Sequence, residues 1–181
     1  LWCPQNNVHM AVIGGAVAGE YGITREMQDE WDLRSQQRWA AGEAKGAFDD
    51  ERFPGEVPGK KGQKTVGAKD EAPRPETTLE ALSKLPPIFT PDNTVTAGNA
   101  PGTNDGASAV VIMSREKAQA LGAPILATLK GYAQASREAR YIATVPGLAI
   151  QNLMEKTGLK LEDVELMEVN EAFAAVPLVS C

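Results

Sequence analysis

The second half of the chain predicts an α/β fold. From Ala107 onward the pattern runs strand, helix, strand, helix, strand, helix, an order that layers helices on a sheet. Three observations carry this. Residues 107–113 contain Val110-Val111-Ile112, apolar on both faces, as in a strand covered on both sides. Ala149, Ile150, Leu153 and Met154 form a helical stripe, with Pro146 suited to a first helical turn and Gly158 to the stop. Val164 to Glu168 alternates apolar and acidic, which reads as a half-buried strand.

The remaining elements follow in order. Gly14-Gly15-Ala16-Val17-Ala18 is a small-residue stretch, read as a closely packed helix despite its glycines. Thr24 caps a second helix that runs to about Ala44, and Gly46 ends it. Met27 and Trp31 share its expected dry face, with Arg25, Glu26, Asp29 and Glu30 on the wet side. Residues 53–58 are extended, Gly59-Lys60-Lys61-Gly62 reads as a hairpin tip, and Gln63 to Val66 returns. This polar excursion reads as a lid or loop subdomain. Residues 77–85 form a short helix with Leu79, Leu82 and Leu85 at threefold spacing, stopped by Pro86-Pro87. The stretch from Thr94 to Gly106 is dense in Gly, Asn and Asp, the chemistry of tight turns. Ser114 starts a helix to Leu121, closed by Gly122. Leu126 to Tyr132 is a further strand.

The chain has 181 residues, 43% of them hydrophobic, enough for a packed core. A net charge of -6 with a pI near 4.9 argues against nonspecific nucleic-acid binding. Cys3 and Cys181 lie near the two ends without metal or CxxC spacing, which points to a reducing compartment. No apolar run reaches the roughly 20 residues of a membrane span. There is no signal peptide or initiator Met, and both ends read as cut, so a piece of a longer protein is expected.

Candidate chemistry is dispersed. Asn170 follows the strand 164–169 and precedes a helix expected to start within Ala172–Ala175. It has two readings: a helix cap, or a polar group at a strand's C-terminal end, where open α/β sheets place ligand chemistry. His9 is the only histidine, structural or catalytic. Asn99, Asn104 and Asp105 could carry a site or build a turn. The glycine-rich stretch lacks P-loop spacing, and Gly14-Gly15 is not a dinucleotide fingerprint. Lys60-Lys61 reads as a solvated turn. Arg74, between Pro73 and Pro75, is held stiffly and could meet an anion. Spacing alone supplies no nucleophile–histidine pair.

Taken together, these pieces resemble the thiolase family, the acetyl-CoA acetyltransferases and 3-ketoacyl-CoA thiolases. Asn6-Asn7-Val8-His9-Met10 resembles its N-x-H-M segment. Tyr21-Gly22-Ile23-Thr24-Arg25-Glu26 with Asp29-Glu30, and Arg34-Ser35-Gln36-Gln37-Arg38, resemble the next helix. Val95-Thr96-Ala97-Gly98-Asn99-Ala100 with Asn104-Asp105-Gly106-Ala107 resembles its glycine-rich turn and strand, and Asn170-Glu171-Ala172-Phe173-Ala174-Ala175 its NEAFA motif. The resemblance implies part of a layered αβαβα sandwich, with an inserted loop domain over the coenzyme A site. Residues 1–98 would be that loop subdomain, 99–122 the end of the N-terminal half and 123–181 the start of the C-terminal half.

The implied reaction is acyl transfer to and from coenzyme A: thiolytic cleavage of a 3-ketoacyl-CoA or condensation of acetyl-CoA. In the family a cysteine takes the acyl group, a histidine activates it and a second cysteine moves a proton. The NEAF asparagine, here Asn170, holds a water that stabilises an oxyanion. The other catalytic motifs have no counterpart in these 181 residues, so the isolated chain is expected to be inactive. Neither Cys3 nor Cys181 matches a catalytic cysteine. Coenzyme A contacts carry over to Leu1, His9, Met10, Arg74, Ala97, Gly98, Pro101, Thr103, Ala172 and Phe173. Pro101 departs from a serine of many relatives and cannot donate that residue's hydrogen bond. Ala11 and Gly14-Gly15 replace a more polar pattern. The resemblance implies acyl-CoA as substrate, no permanently bound cofactor or metal, no nucleic-acid partner and a homodimeric or homotetrameric parent. The compartment expected is cytoplasmic, or mitochondrial or peroxisomal in a eukaryote. The alternative is a non-condensing, thiolase-like acyl-CoA or lipid-binding protein, and a third reading is an interaction fragment with incidental similarity.

Overall fold

A computed structural model describes residues 1–59, 63–104 and 106–181. The chain opens with a short antiparallel pair, β1 (Trp2–Cys3) and β2 (Val8–His9), with Trp2 opposite His9. Helix α1 (Met10–Glu20) leaves β2 directly, and the His9 side chain caps it by accepting from the Ala11 backbone N–H. Helix α2 (Arg25–Ala44) begins at the expected cap, where Thr24 Oγ1 accepts from the Met27 N–H at 3.3 Å. Gly46, at φ +68°, ends that excursion in the left-handed region that suits glycine.

Strands β3 (Gly55–Pro58) and β4 (Lys64–Gly67) pair antiparallel, with Gly55 opposite Gly67. The expected tip at 60–62 lies outside the described residues. Helix α3 (Leu79–Ser83) is capped by Thr78, and of its leucine stripe only Leu82 is fully buried. Helix α4 (Arg115–Ala120) is capped by Ser114. A 3-10 segment (Ala139–Thr144) leads into α5 (Val145–Thr157), which has Pro146 in its first turn and ends at Gly158 with φ 72°. Each side-chain cap of this kind is worth about 1 kcal/mol. Helix α6 (Ala175–Ser180) closes the series. No helix among the described residues is long and apolar enough to cross a membrane.

The core joins the two ends of the chain. Cys3, Ile13 and Val17 pack with Ala143 and Val176, and Met10, Tyr141, Phe173 and Val179 flank them. Small residues let α1 sit deep: a Cβ at Gly14 would lie 3.2 Å from the Phe173 ring, and one at Gly15 would overlap Asn93 Oδ1. Asn93 is itself buried, donating to the Ile88 carbonyl at 2.9 Å and accepting from the Val95 N–H.

Three kinds of expectation are corrected. The strands expected at 107–113, 126–132 and 164–169 are not formed. Val111 is 86% exposed, Leu126 95% and Leu166 84%. A strand is completed only by a hydrogen-bonded neighbour, and the named ladders of the described residues lie elsewhere. The expected faces of α2 hold only in part: Glu26 and Glu30 are exposed and Trp31 is half-buried, but Gln28 and Asp29 are its buried residues and Met27 is 39% exposed. That helix packs on polar loops rather than on an apolar layer. Finally, α6 starts at Ala175 without a side-chain cap, so Asn170 is not its capping residue and 172–174 precede the helix.

Gly15→Ala tests the fit of α1. Helix propensity alone would favour alanine by about 1 kcal/mol, but the methyl must displace Asn93 and its hydrogen bonds. The expected outcome is a net loss of about 2–3 kcal/mol, read as a lowered urea midpoint.

Candidate functional site

The site is arranged along α2. At its N-terminal end Arg25 donates to the Leu82 and Leu85 carbonyls at 2.7 and 3.1 Å, tying α3 down. Gln28 Nε2 reaches Thr94 Oγ1 at 2.9 Å. One turn on, Asp29 accepts from Arg25 Nε at 2.8 Å and from Asn99 Nδ2 at 3.0 Å. Asn99 also donates to the Thr94 carbonyl and accepts from the Thr96 N–H at 2.8 Å. The turn 94–99 is thereby locked onto the helix. Asn99, a candidate for chemistry, is spent on that scaffold and is 3% exposed. Asn104 only closes a local bond to the Gly102 carbonyl, and Asp105 lies outside the described residues.

The turn in turn holds the 170–174 loop: the Ala174 N–H donates to the Asn99 carbonyl at 3.0 Å. Further along α2, Trp31 Nε1 and Ser35 Oγ donate to the two Glu171 oxygens at 2.9 and 2.8 Å. Phe173 packs over Gly14 and against the core that Met10 flanks. Asn170 and Ala172 remain exposed on this loop, as does Ala97 on the turn beside it. Gly98 sits against Leu82 and Leu85, whose side-chain ends an added Cβ would have to push aside.

On the other side, His9 stacks on Phe89 with ring centroids 3.9 Å apart. Its Nδ1 accepts from the Ala11 N–H at 3.2 Å, which fixes a neutral ring carrying its proton on Nε2. Partial burial pulls the imidazole pKa below its usual value, in the same sense. The Met10 N–H donates to the Leu1 carbonyl at 2.9 Å, bringing Leu1 beside this junction.

Arg74 stands apart. Its backbone N–H donates to Gln36 Oε1 at 2.7 Å, about 10 Å along α2 from Asp29. Its guanidinium is exposed but folded back, with Nη1 on the carbonyls of Glu71, Ala72 and Pro73. Pro101 and Thr103 are exposed beyond the locked part of the turn. Cys3 is a core residue.

The arrangement therefore offers an exposed carboxamide on a loop pinned at both sides, an imidazole N–H donor, two aromatic rings and a cation at a distance. A carboxamide can hold a water or a polarised oxygen, and the rings suit an apolar or thioether arm.

This chain matches two family models: thiolase, N-terminal domain, over residues 1–116 and thiolase, C-terminal domain, over residues 123–181. The chain belongs to the thiolase family, and its fold is a partial thiolase fold. An acetyl-CoA acetyltransferase of Pseudomonas aeruginosa is 45% identical over 178 residues, covering 98% of this chain and 45% of that relative. The crystal structure of the Bacillus anthracis acetyl-CoA acetyltransferase matches with a TM-score of 0.91 at 39% identity, covering 99% of this chain and 45% of its own. Human mitochondrial 3-ketoacyl-CoA thiolase in complex with CoA matches with a TM-score of 0.88 at 40% identity, covering 99% and 44%. The chain thus spans under half the length of the relatives it matches.

Two features escaped the sequence reading. Phe89 is 61% exposed and has φ 68°, a conformation that an aromatic residue rarely adopts. The signal available was an aromatic residue just before Thr90-Pro91. The second is the polar face of α2. The spacing of Trp31 and Ser35 was visible, but Glu171, their partner, lies 136–140 residues away.

Asp32 lies on the same helix as this cluster. Burial pushes its carboxyl up to about 6; Asp29 and Glu171 push the same way, and a hydrogen bond with Gln36 opposes them. A carboxyl raised in the folded state favours folding while protonated, and that advantage is lost as pH rises from about 4 to about 6. Asp32→Asn is therefore expected to raise stability at pH 7 by about 1 kcal/mol, discounted for solvent screening, with the gain vanishing near pH 4. Urea midpoints measured across that range check it.

Proposed function

We propose that these residues form the coenzyme A-facing part of a thiolase-type acyltransferase, acting within a protein of full family length. The substrate class is an acyl-CoA or 3-ketoacyl-CoA. The reading is supported by Asn170, whose carboxamide is not used to cap α6 and is presented on a loop tied to α2 and to the turn 94–99. In this role it orients a water toward the oxygen that gains charge as the thioester carbonyl is attacked. His9, Met10, Ala172 and Phe173, with Leu1, Ala97 and Gly98, line the path of the thioester and pantetheine arm. Phe89 extends that wall. Arg74 faces the anionic nucleotide end, and Pro101 and Thr103 flank the arm without a side-chain bond from Pro101.

In the same reading residues 1–98 cover the cofactor, 99–122 end one half of the sandwich and 123–181 begin the other. The exposed apolar segments 107–113, 126–132 and 164–169, which form no strand by themselves, are covered by neighbours that the rest of the full-length protein supplies. That protein is a homodimer or homotetramer.

The test is Asn170→Ala in the full-length protein, followed by thiolysis kinetics. The expected outcome is a fall in kcat of about 100-fold or more, with the KM for coenzyme A changed far less. Unchanged kcat would remove Asn170 from the chemistry. Coenzyme A binding without turnover in the unaltered protein would favour a binding protein instead.

A further inference from the structure

Glu171, next to Asn170, has both carboxylate oxygens engaged by α2. Trp31 Nε1 donates to Oε1 and Ser35 Oγ to Oε2. The two donors are four residues apart, hence on one face of the helix. The Arg34 guanidinium lies over the Trp31 ring, 3.6 Å from its centroid, and steadies the indole plane. With two bonds to two separate donors, the Glu171 side chain cannot turn without breaking one.

The far side of the loop is pinned to the same helix by another route. The Ala174 N–H bonds the Asn99 carbonyl, and Asn99 Nδ2 bonds Asp29. Glu171 and Ala174 are thus both referred to α2, and Asn170 is the residue immediately outside the first pin. The Glu171 cluster is exposed, where ion-pair and hydrogen-bond contributions to stability are small. Its main consequence is orientation. Orientation is costly to lose at a reacting centre, where a misplacement of about 1 Å lowers a rate about 100-fold.

We infer that Glu171, gripped by Trp31 and Ser35, is a positioning residue that sets the direction of the Asn170 carboxamide. This rests on the reading of Asn170 as the group that holds the water. The grip works through geometry and not through the Glu171 charge. A glutamine could keep it, presenting its oxygen to the Trp31 N–H and its N–H to the Ser35 hydroxyl oxygen.

The experiment measures kcat and the KM for coenzyme A in the full-length protein for Glu171→Ala, Glu171→Gln, Ser35→Ala, Asn170→Ala and the Asn170→Ala/Glu171→Ala double variant. Glu171→Ala is expected to lower kcat about 10–100-fold with KM held within about twofold. Glu171→Gln restores kcat to within about threefold of the unaltered protein. The double variant is no slower than Asn170→Ala alone, within about twofold, because the grip has nothing left to aim. Ser35→Ala leaves Glu171 in place, removes one bond and lowers kcat by a smaller factor, which reads the grip even if Glu171→Ala folds poorly. Multiplicative loss in the double variant, a glutamine variant as slow as the alanine one, or unchanged kcat in both Glu171→Ala and Ser35→Ala overturns the positioning role alone. Unchanged kcat in Asn170→Ala overturns the water-holding reading and the positioning role with it.

Discussion

The Asp29 carboxylate is the contact on which the rest of the arrangement depends. It is 4% exposed, and a carboxylate so far from water is tolerated only with its oxygens engaged. Arg25 engages one side within the same helix, and Asn99 engages the other from a turn 70 residues away. That second bond does more than satisfy a charge. It fixes the turn 94–99 so that the Asn99 carbonyl faces the Ala174 N–H, and the 170–174 loop inherits its place from there.

Two adjoining helices divide the remaining work by the size and polarity of their side chains. Helix α1 is made of small residues where it meets the loops. It gives Phe173 and Asn93 room to approach, and its apolar face joins Cys3, Ala143 and Val176 in the core. Helix α2 presents a sequence of polar groups: Arg25 meets α3, Gln28 and Asp29 meet the turn 94–99, Trp31 and Ser35 meet Glu171, and Gln36 meets the Arg74 backbone. The exposed Asn170, Ala172 and Ala97 lie where those loops converge. Directional bonds hold these loops where apolar packing alone would leave their orientation loose.

Away from that seam the chain leaves apolar side chains uncovered. Val110, Val111, Ile112, Leu126, Leu129 and Leu166 are all largely exposed, in segments whose composition fits strands. Yet the chain follows its relatives over 99% of its length with a TM-score of 0.91. The path of the chain is thus that of a partial thiolase fold, while the ladders formed among the described residues are β1–β2 and β3–β4.

Local chemistry explains what could be read directly. Thr24 and Ser114 cap helices where expected, and Gly158 stops α5, because capping bonds and left-handed turns are made within a few residues. The motif pairs around Asn99 and Asn170 placed the chain in its family for the same reason, as short strings of residues. The sequence alone could not say which face of α2 is buried, since an amphipathic reading assumes an apolar neighbour and the neighbour here is a set of polar turns. Nor could it show that Asn99 is scaffold and Asn170 exposed, or that Glu171 belongs to Trp31 and Ser35. Those assignments depend on partners 70 to 140 residues distant, and only the folded chain brings their donors and acceptors within hydrogen-bond reach.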